Sequence, residues 1–180
     1  MATSNTAPYS GEILANYTST PDRRLVIETD FGALKIQLFD KLAPNHVAQI
    51  VKLATDGMYD NCTFHRVIPG FMIQGGDPNS KSDNLRTHGT GSMGDKLKQE
   101  FNDVSHKRGV CSMARTSDPN SASSQFFICH DAAQFLDRQY TVWGQLTDGF
   151  DALDKIAGLK RDGNDNPGRV AVMKKVYVEG

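Results

Sequence analysis

Thr63-Phe64-His65-Arg66-Val67-Ile68-Pro69-Gly70-Phe71-Met72-Ile73-Gln74-Gly75-Gly76-Asp77 reads as two short strands, Thr63–Val67 and Phe71–Gly75, joined across a Pro69-Gly70 turn. Proline presets φ for such a turn and glycine accepts the conformation that follows. With a side-chain period of two, Phe64 and Arg66 share one face of the first strand and His65 and Val67 the other. The second strand separates Phe71 and Ile73 from Met72 and Gln74. An arginine and a glutamine among so many apolar neighbours each need partners if buried. On composition alone the hairpin fits a binding site as well as an unusual structural hairpin.

Upstream, Arg24–Thr29 and Ala33–Phe39 form a hairpin around Asp30-Phe31-Gly32. Leu34, Ile36 and Leu38 alternate there with Lys35 and Gln37, as in a sheet wet on one side. Asp30-Phe31-Gly32 copies a protein-kinase motif, but with no lysine strand or catalytic loop it reads as a turn. Ala43–Asp56 reads as a helix, with Pro44 at its start, Gly57 past its end, and Val47, Ile50, Val51 and Ala54 in one apolar stripe. Downstream, Gly109–Ala114, Gln125–Cys129, Thr141–Leu146 and Val170–Val178 read as strands, and Gly149–Ala157 as a short helix presenting Phe150, Leu153 and Ile156. Eight strands and two helices suggest an antiparallel barrel whose helices cap the open ends. Periodicity alone leaves a sandwich equally open.

A chain of 180 residues suffices for one substantial core and is short for two. Apolar residues make up 38% and charged residues 23%, which excludes global disorder, and a formal charge of −1 argues against a nucleic-acid or anionic-membrane partner. Lys96-Leu97-Lys98, His106-Lys107-Arg108 and Lys174-Lys175 read as solvated surface. Three cysteines without a Cys-x-x-Cys spacing suggest neither a disulfide framework nor a thiolate metal site, and Cys111 and Cys129 read as small buried strand residues. The five histidines are dispersed, so no metal is expected. Met1–Pro21, rich in Ser, Thr, Ala and Asn, has neither the basic start nor the apolar run of a signal peptide. It reads as a flexible extension (1–21) ahead of one domain (22–180), with a cytoplasmic location by default.

Pro78 to about Lys107 is a long irregular region containing Gly89-Thr90-Gly91-Ser92-Met93-Gly94, a formal Gly-x-Gly-x-x-Gly match. A dinucleotide site needs a buried strand before those glycines and a helix after them. Asp83–His88 is no such strand, which disfavours a nucleotide-dependent enzyme.

The stretch Phe64–Asp77 closely resembles the signature of the cyclophilins, the peptidyl-prolyl cis/trans isomerases. Gly109-Val110-Cys111-Ser112-Met113-Ala114 and Ser124-Gln125-Phe126-Phe127-Ile128 extend the resemblance from about Arg24 to Val178. It implies a mainly β fold, a closed eight-stranded antiparallel barrel capped by two helices, with the ligand site outside because eight strands leave an interior filled by side chains. It also implies an apolar pocket for a proline ring at Phe71, Met72, Phe127 and Leu136. Polar groove residues match Gln74 and Gln125, backbone contacts match Ala114, Arg115 and Gly89, and the catalytic arginine matches Arg66, with Gln74 assisting. Phe135 stands where eukaryotic members commonly carry tryptophan, Tyr140 where histidine is usual, and Arg115 where asparagine follows Met-Ala. The loop Thr116–Asn120 looks one residue longer, and the variants resemble bacterial members.

The expected activity is acceleration of rotation about X–Pro bonds, without cofactor or covalent intermediate. Expected partners are proline-containing peptides and unfolded or partly folded proteins, together with cyclosporin at reduced affinity. Nucleic acid and membrane are not expected, and the chain is expected to act as a monomer. The alternative is a noncatalytic proline-peptide-binding or chaperone module using the same groove. Arg66 is the discriminator, because simple capture of a proline would not require it.

Overall fold

The computed structural model describes residues 4–180. Its strands are β1 (Arg24–Thr29), β2 (Gly32–Leu38), β3 (Phe64–Ile68), β4 (Met72–Gly75), β5 (Val110–Met113), β6 (Phe126–Cys129), β7 (Val142–Asp148) and β8 (Lys175–Glu179). They form a single antiparallel sheet in the order β3-β4-β6-β5-β7-β2-β1-β8. The sheet curls so that alternate residues meet inside: Leu25, Ile27, Leu34, Ile36, Phe64, Val67, Ile73, Phe126, Ile128, Trp143 and Val176 belong to one core cluster.

The end strands β3 and β8 share no ladder. The expected strand Val170–Val178 begins regular pairing only at Lys175, because the segment before it crosses to the residues ahead of β3. Thr63 and Val172 form an isolated antiparallel bridge, flanked by bonds from Asn61 N–H to Met173 O (2.8 Å), Met173 N–H to Cys62 O (2.8 Å) and Phe64 N–H to Ala171 O (3.0 Å). The architecture is therefore a curled half-barrel whose ends meet across that short crossing.

Both expected helices are present. The longer, α2 (Pro44–Thr55), turns His46, Val47, Ile50, Leu53 and Ala54 inward, while Val51 is only half-buried. It has no side-chain cap of its own; the Glu100 carboxylate accepts from the N–H groups of Asn45 (3.3 Å) and His46 (2.9 Å), satisfying two of its orphan donors. The other, α3 (Phe150–Ala157), buries Phe150, Leu153 and Ile156 against the sheet. It starts at Gly149, whose φ of +98° and closeness to the Ala33 carbonyl leave no room for a Cβ.

A short helix ahead of them, α1 (Gly11–Ala15), was not anticipated. It lies in the segment expected to be a flexible extension, where Ser4 O and Asn5 Oδ1 accept from Arg108. Tyr9 is 8% exposed and packs with Phe39, Val104, Val110 and Val142. Its backbone and the Gln145 side chain exchange two buried hydrogen bonds of 2.9 Å, and its hydroxyl donates to Ser105 O (2.7 Å). Composition signalled a polar segment, but one aromatic anchor and a buried amide partner suffice to hold it. Among the described residues no helix is long and apolar enough to cross a membrane.

Candidate active site

The β3–β4 hairpin forms around the expected Pro69-Gly70 turn, with φ of +79° at Gly70. Strict alternation fails within it. Phe64 pairs with Gly75 and Arg66 with Gln74, so His65 is the extra residue of a β-bulge. The bulge lets Phe64 and Val67 both enter the core while Arg66 points out, where a regular strand would put Phe64 and Arg66 on one face. In the second strand Ile73 is internal and Met72 and Gln74 face outward as expected, but Phe71, just before β4, packs with the outer cluster.

Register then builds a row across the outer face. Arg66 lies opposite Gln74, Gln74 opposite Phe127, and Phe127 opposite Ser112. Beside it Met72, Phe127, Cys129, Ala133 and Leu136 form a second apolar cluster, joined by Phe71, Ala114 and Tyr140. A cavity of about 170 Å³ opens here, lined by the expected residues Arg66, Phe71, Met72, Gln74, Phe127 and Leu136. Ala114, Arg115 and Tyr140 complete it.

The polar groups are held by identifiable bonds. Gln125 donates through Nε2 to the carbonyls of Gly91 (2.8 Å) and Gly89 (3.1 Å), which fixes its amide. Its Oε1 then accepts from Gln74 Nε2 at 3.0 Å, leaving Gln74 Oε1 as the available acceptor. Gly89 has φ of +91°, and its N–H bonds the buried Asp77 carboxylate. Arg66 is exposed and, among the described residues, makes no hydrogen bond or ion pair. Arg115 turns aside: its Nε donates to Gln139 O (2.9 Å), and its guanidinium sits 4.8 Å from the centre of the Tyr140 ring. Phe135, 68% exposed, reaches the site only through Phe71, with ring centres 5.5 Å apart.

Two supporting residues escaped the sequence reading. His106, placed there in a solvated basic group, is fully buried and stacks on Phe127 at 6.0 Å and 17°. Arg108 of the same group is 8% exposed and pairs with Asp154 at 2.8 Å. His106 Nδ1 meets Asp137 Oδ1 at 2.9 Å and Nε2 meets Ser112 Oγ at 3.0 Å. Burial lowers the His106 pKa against the pull of Asp137, so Nδ1–H donates to the carboxylate and Nε2 accepts from the serine. Burial pushes the Asp137 carboxyl up, but bonds from Ser105 and from the His106 backbone and ring together hold it below its usual range. The signal in the sequence was Asp137 itself, next to the expected pocket residue Leu136. Cys111 and Cys129 are buried as expected, and burial pushes the Cys129 thiol up to about 12.

The glycine run lacks a nucleotide-site context. The 3₁₀ turn Leu85–Thr87 precedes it and extended loop follows.

Residues 24–178 match the family described as cyclophilin type peptidyl-prolyl cis-trans isomerase/CLD. A peptidyl-prolyl cis-trans isomerase of Synechococcus elongatus is 45% identical over 139 residues, spanning 77% of this chain and 89% of that protein. A probable peptidyl-prolyl cis-trans isomerase of Brucella suis is 42% identical over 151 residues, 81% of this chain and 77% of its own. Among solved structures, a Cryptosporidium parvum cyclophilin type peptidyl-prolyl cis-trans isomerase, crystallised in the presence of the dipeptide Ala-Pro, superposes with a TM-score of 0.80. It is 31% identical, and the match covers 87% of this chain and 99% of the other. The chain belongs to the cyclophilin-type peptidyl-prolyl cis-trans isomerase family.

Proposed function

We propose that the groove around Arg66 is where this isomerase accelerates rotation about the X–Pro bonds of peptides and of unfolded or partly folded proteins. The observation that carries this reading is an exposed guanidinium, unpaired among the described residues, at one end of a cross-strand row whose Gln74 and Phe127 line the same cavity. Amide resonance makes rotation cost ~18–20 kcal/mol, and X–Pro bonds exchange unaided in tens to hundreds of seconds. At the twisted transition state resonance is lost and the prolyl nitrogen regains a basic lone pair. Phe71, Met72, Phe127 and Leu136 hold the ring, and Arg66 donates to that nitrogen. The donor stabilises the twisted form more than either planar one, which is differential binding with no nucleophile. Gln74 Oε1 and the Ala114–Arg115 backbone steer the rotating side, with Gln125 and Gly89 behind them and Phe135 and Tyr140 at the rim. Raising ~10⁻² s⁻¹ to ~10³ s⁻¹ takes roughly 7 kcal/mol, so orientation and desolvation share the work with the one hydrogen bond.

We further assign 22–180 to the isomerase domain and 1–21 to an N-terminal extension, read the Thr63–Val172 crossing as the closure of the barrel, and place the chain in the cytoplasm as a monomer. A protease-coupled assay on a short X–Pro peptide tests the function. A catalysed phase is expected at nanomolar to micromolar protein; binding of the peptide without acceleration would favour a noncatalytic module.

A further inference from the structure

Beyond Arg66, on the side away from the proline pocket, lies a second cavity of about 330 Å³ that bond rotation does not use. His65, Arg66, Arg86, His88, Asn164 and Asn166 wall it, with Leu85 its one large apolar side chain. It also borders Gln74 and Gly89 and shares Arg66 and Gln74 with the first cavity, so a peptide whose proline fills that cavity can reach it.

Its chemistry is one-sided. Arg66 and Arg86 are both exposed, and among the described residues neither guanidinium makes a hydrogen bond or an ion pair. No carboxylate lines the cavity, and those on the flanking segments are engaged elsewhere. Asp77 accepts from the N–H groups of Asn79 and Gly89, and Asp162 from those of Asn164 and Asn166. Asp165 pairs with Arg161 and Asp83 with Arg169.

The remaining walls are fixed. Gly168 N–H donates to Asn166 Oδ1 (2.9 Å), which turns Asn166 Nδ2 toward His88 Nδ1 at 3.0 Å. His88 Nε2 therefore carries the proton and donates to Ser82 O at 2.8 Å, making the ring a neutral, oriented wall. His65 is 5% exposed, and its buried Nδ1 has no partner. Two unpaired forks on a rigid polar floor match a carboxylate or phosphate, which guanidinium groups bind in pairs of parallel hydrogen bonds.

We infer that this cavity is a subsite for an anionic side chain, carboxylate or phosphoryl, on the peptide whose proline fills the neighbouring pocket. The inference rests on the isomerase reading above. The anion belongs within about three residues of the proline, since extended chain covers ~3.3–3.6 Å per residue and the two cavities share Arg66 and Gln74.

The test is a set of X–Pro peptides carrying Glu, Gln, Lys or phosphoserine at each position from three before to three after the proline, assayed for kcat/KM. At one position or two adjacent ones Glu should exceed Gln by about three- to fivefold at low salt, with phosphoserine larger still, and the ratio should shrink toward one as salt rises. Among the described residues the Arg86 side chain makes no hydrogen bond or ion pair, so replacing it removes none from the fold. Arg86→Ala should bring the Glu-to-Gln ratio to about one, and Arg86→Glu should favour Lys at the same position. Equal rates for Glu, Gln and Lys at every position would overturn the inference, as would an anion preference that survives both Arg86 variants. Failure to turn over even the Gln peptides would instead overturn the isomerase reading.

Discussion

Two apolar patches lie on the outer face of the same curled sheet, and they are treated in opposite ways. Over β5 and β7, Phe39, Val104, Val110 and Val142 are covered by the chain's own Tyr9, Leu14 and Tyr17. Over β4 and β6, Met72, Phe127 and Leu136 pack with Phe71, Ala114 and Tyr140 around an open cavity of about 170 Å³, and Phe135 beside them is 68% exposed. A barrel this narrow can bury only one face of its strands, so outward apolar residues must find cover elsewhere. The first patch is completed by folding. The second is left open, beside the one guanidinium that the bulge turns outward.

The sharpest way to break this comparison is at Arg66. Arg66→Ala should lower kcat/KM by two to three decades, an effect of about 2.7–4 kcal/mol on the barrier, in keeping with loss of one preorganised donor. It should leave the thermal midpoint nearly unchanged, since the side chain makes no internal bond. Near-normal turnover in the folded variant would sink the mechanism. The covered patch predicts the reverse pattern. Tyr9→Ala removes a buried ring and should cost about 3 kcal/mol in urea unfolding while kcat/KM stays within twofold. Unchanged stability would show that the leading segment is no true cover.

His65 sharpens the contrast through pH. Burial pushes its pKa down to about 4 from an ordinary 6.5, with Asp77 opposing. A histidine whose folded pKa is depressed takes up its proton first in the unfolded chain, so its penalty is absent above pH 6.5 and grows as pH falls toward 4. Over that window roughly 3 kcal/mol should be lost, at about 1.36 kcal/mol per pKa unit. Urea midpoints of wild type and His65→Gln at pH 7.5 and 4.5 check this; parallel losses in both proteins would remove His65 as the cause. The smallest effect belongs to the exposed rim. Phe135→Trp adds an N–H donor and more apolar surface, and one such bond is worth ~0.5–1.5 kcal/mol. Cyclosporin should then inhibit roughly tenfold more strongly. An unchanged titration would place the determinant elsewhere, with Tyr140 the next residue to replace.

Much of this was legible in the chain. Alternating Leu34, Ile36 and Leu38 marked β2, Pro44 and Gly57 bracketed α2, and the motif around Phe64–Asp77 located the cavity. What escaped depended on contacts distant in sequence. The bulge at His65 is invisible to a period-two reading because only pairing against Gln74 and Gly75 reveals which residue is extra. His106 looked solvated beside Lys107 and Arg108, yet Asp137 and Ser112 bring both its nitrogens to hydrogen-bonding partners inside the protein. The docking of Tyr9 is set by Gln145, far along the chain. In each case the deciding partner lies in another element: Gln74 for the bulge at His65, Asp137 for His106 and Gln145 for Tyr9.

The strand order carries a consequence for how the molecule is made. β1 is synthesised well before β8, yet one of its edges pairs with it, with Arg24 opposite Glu179. Contacts so remote in sequence close late and slow the search for the native topology. During synthesis β1 therefore waits with that edge bare, the kind of template on which nascent chains associate wrongly. The sheet can therefore be completed only after β8 has emerged.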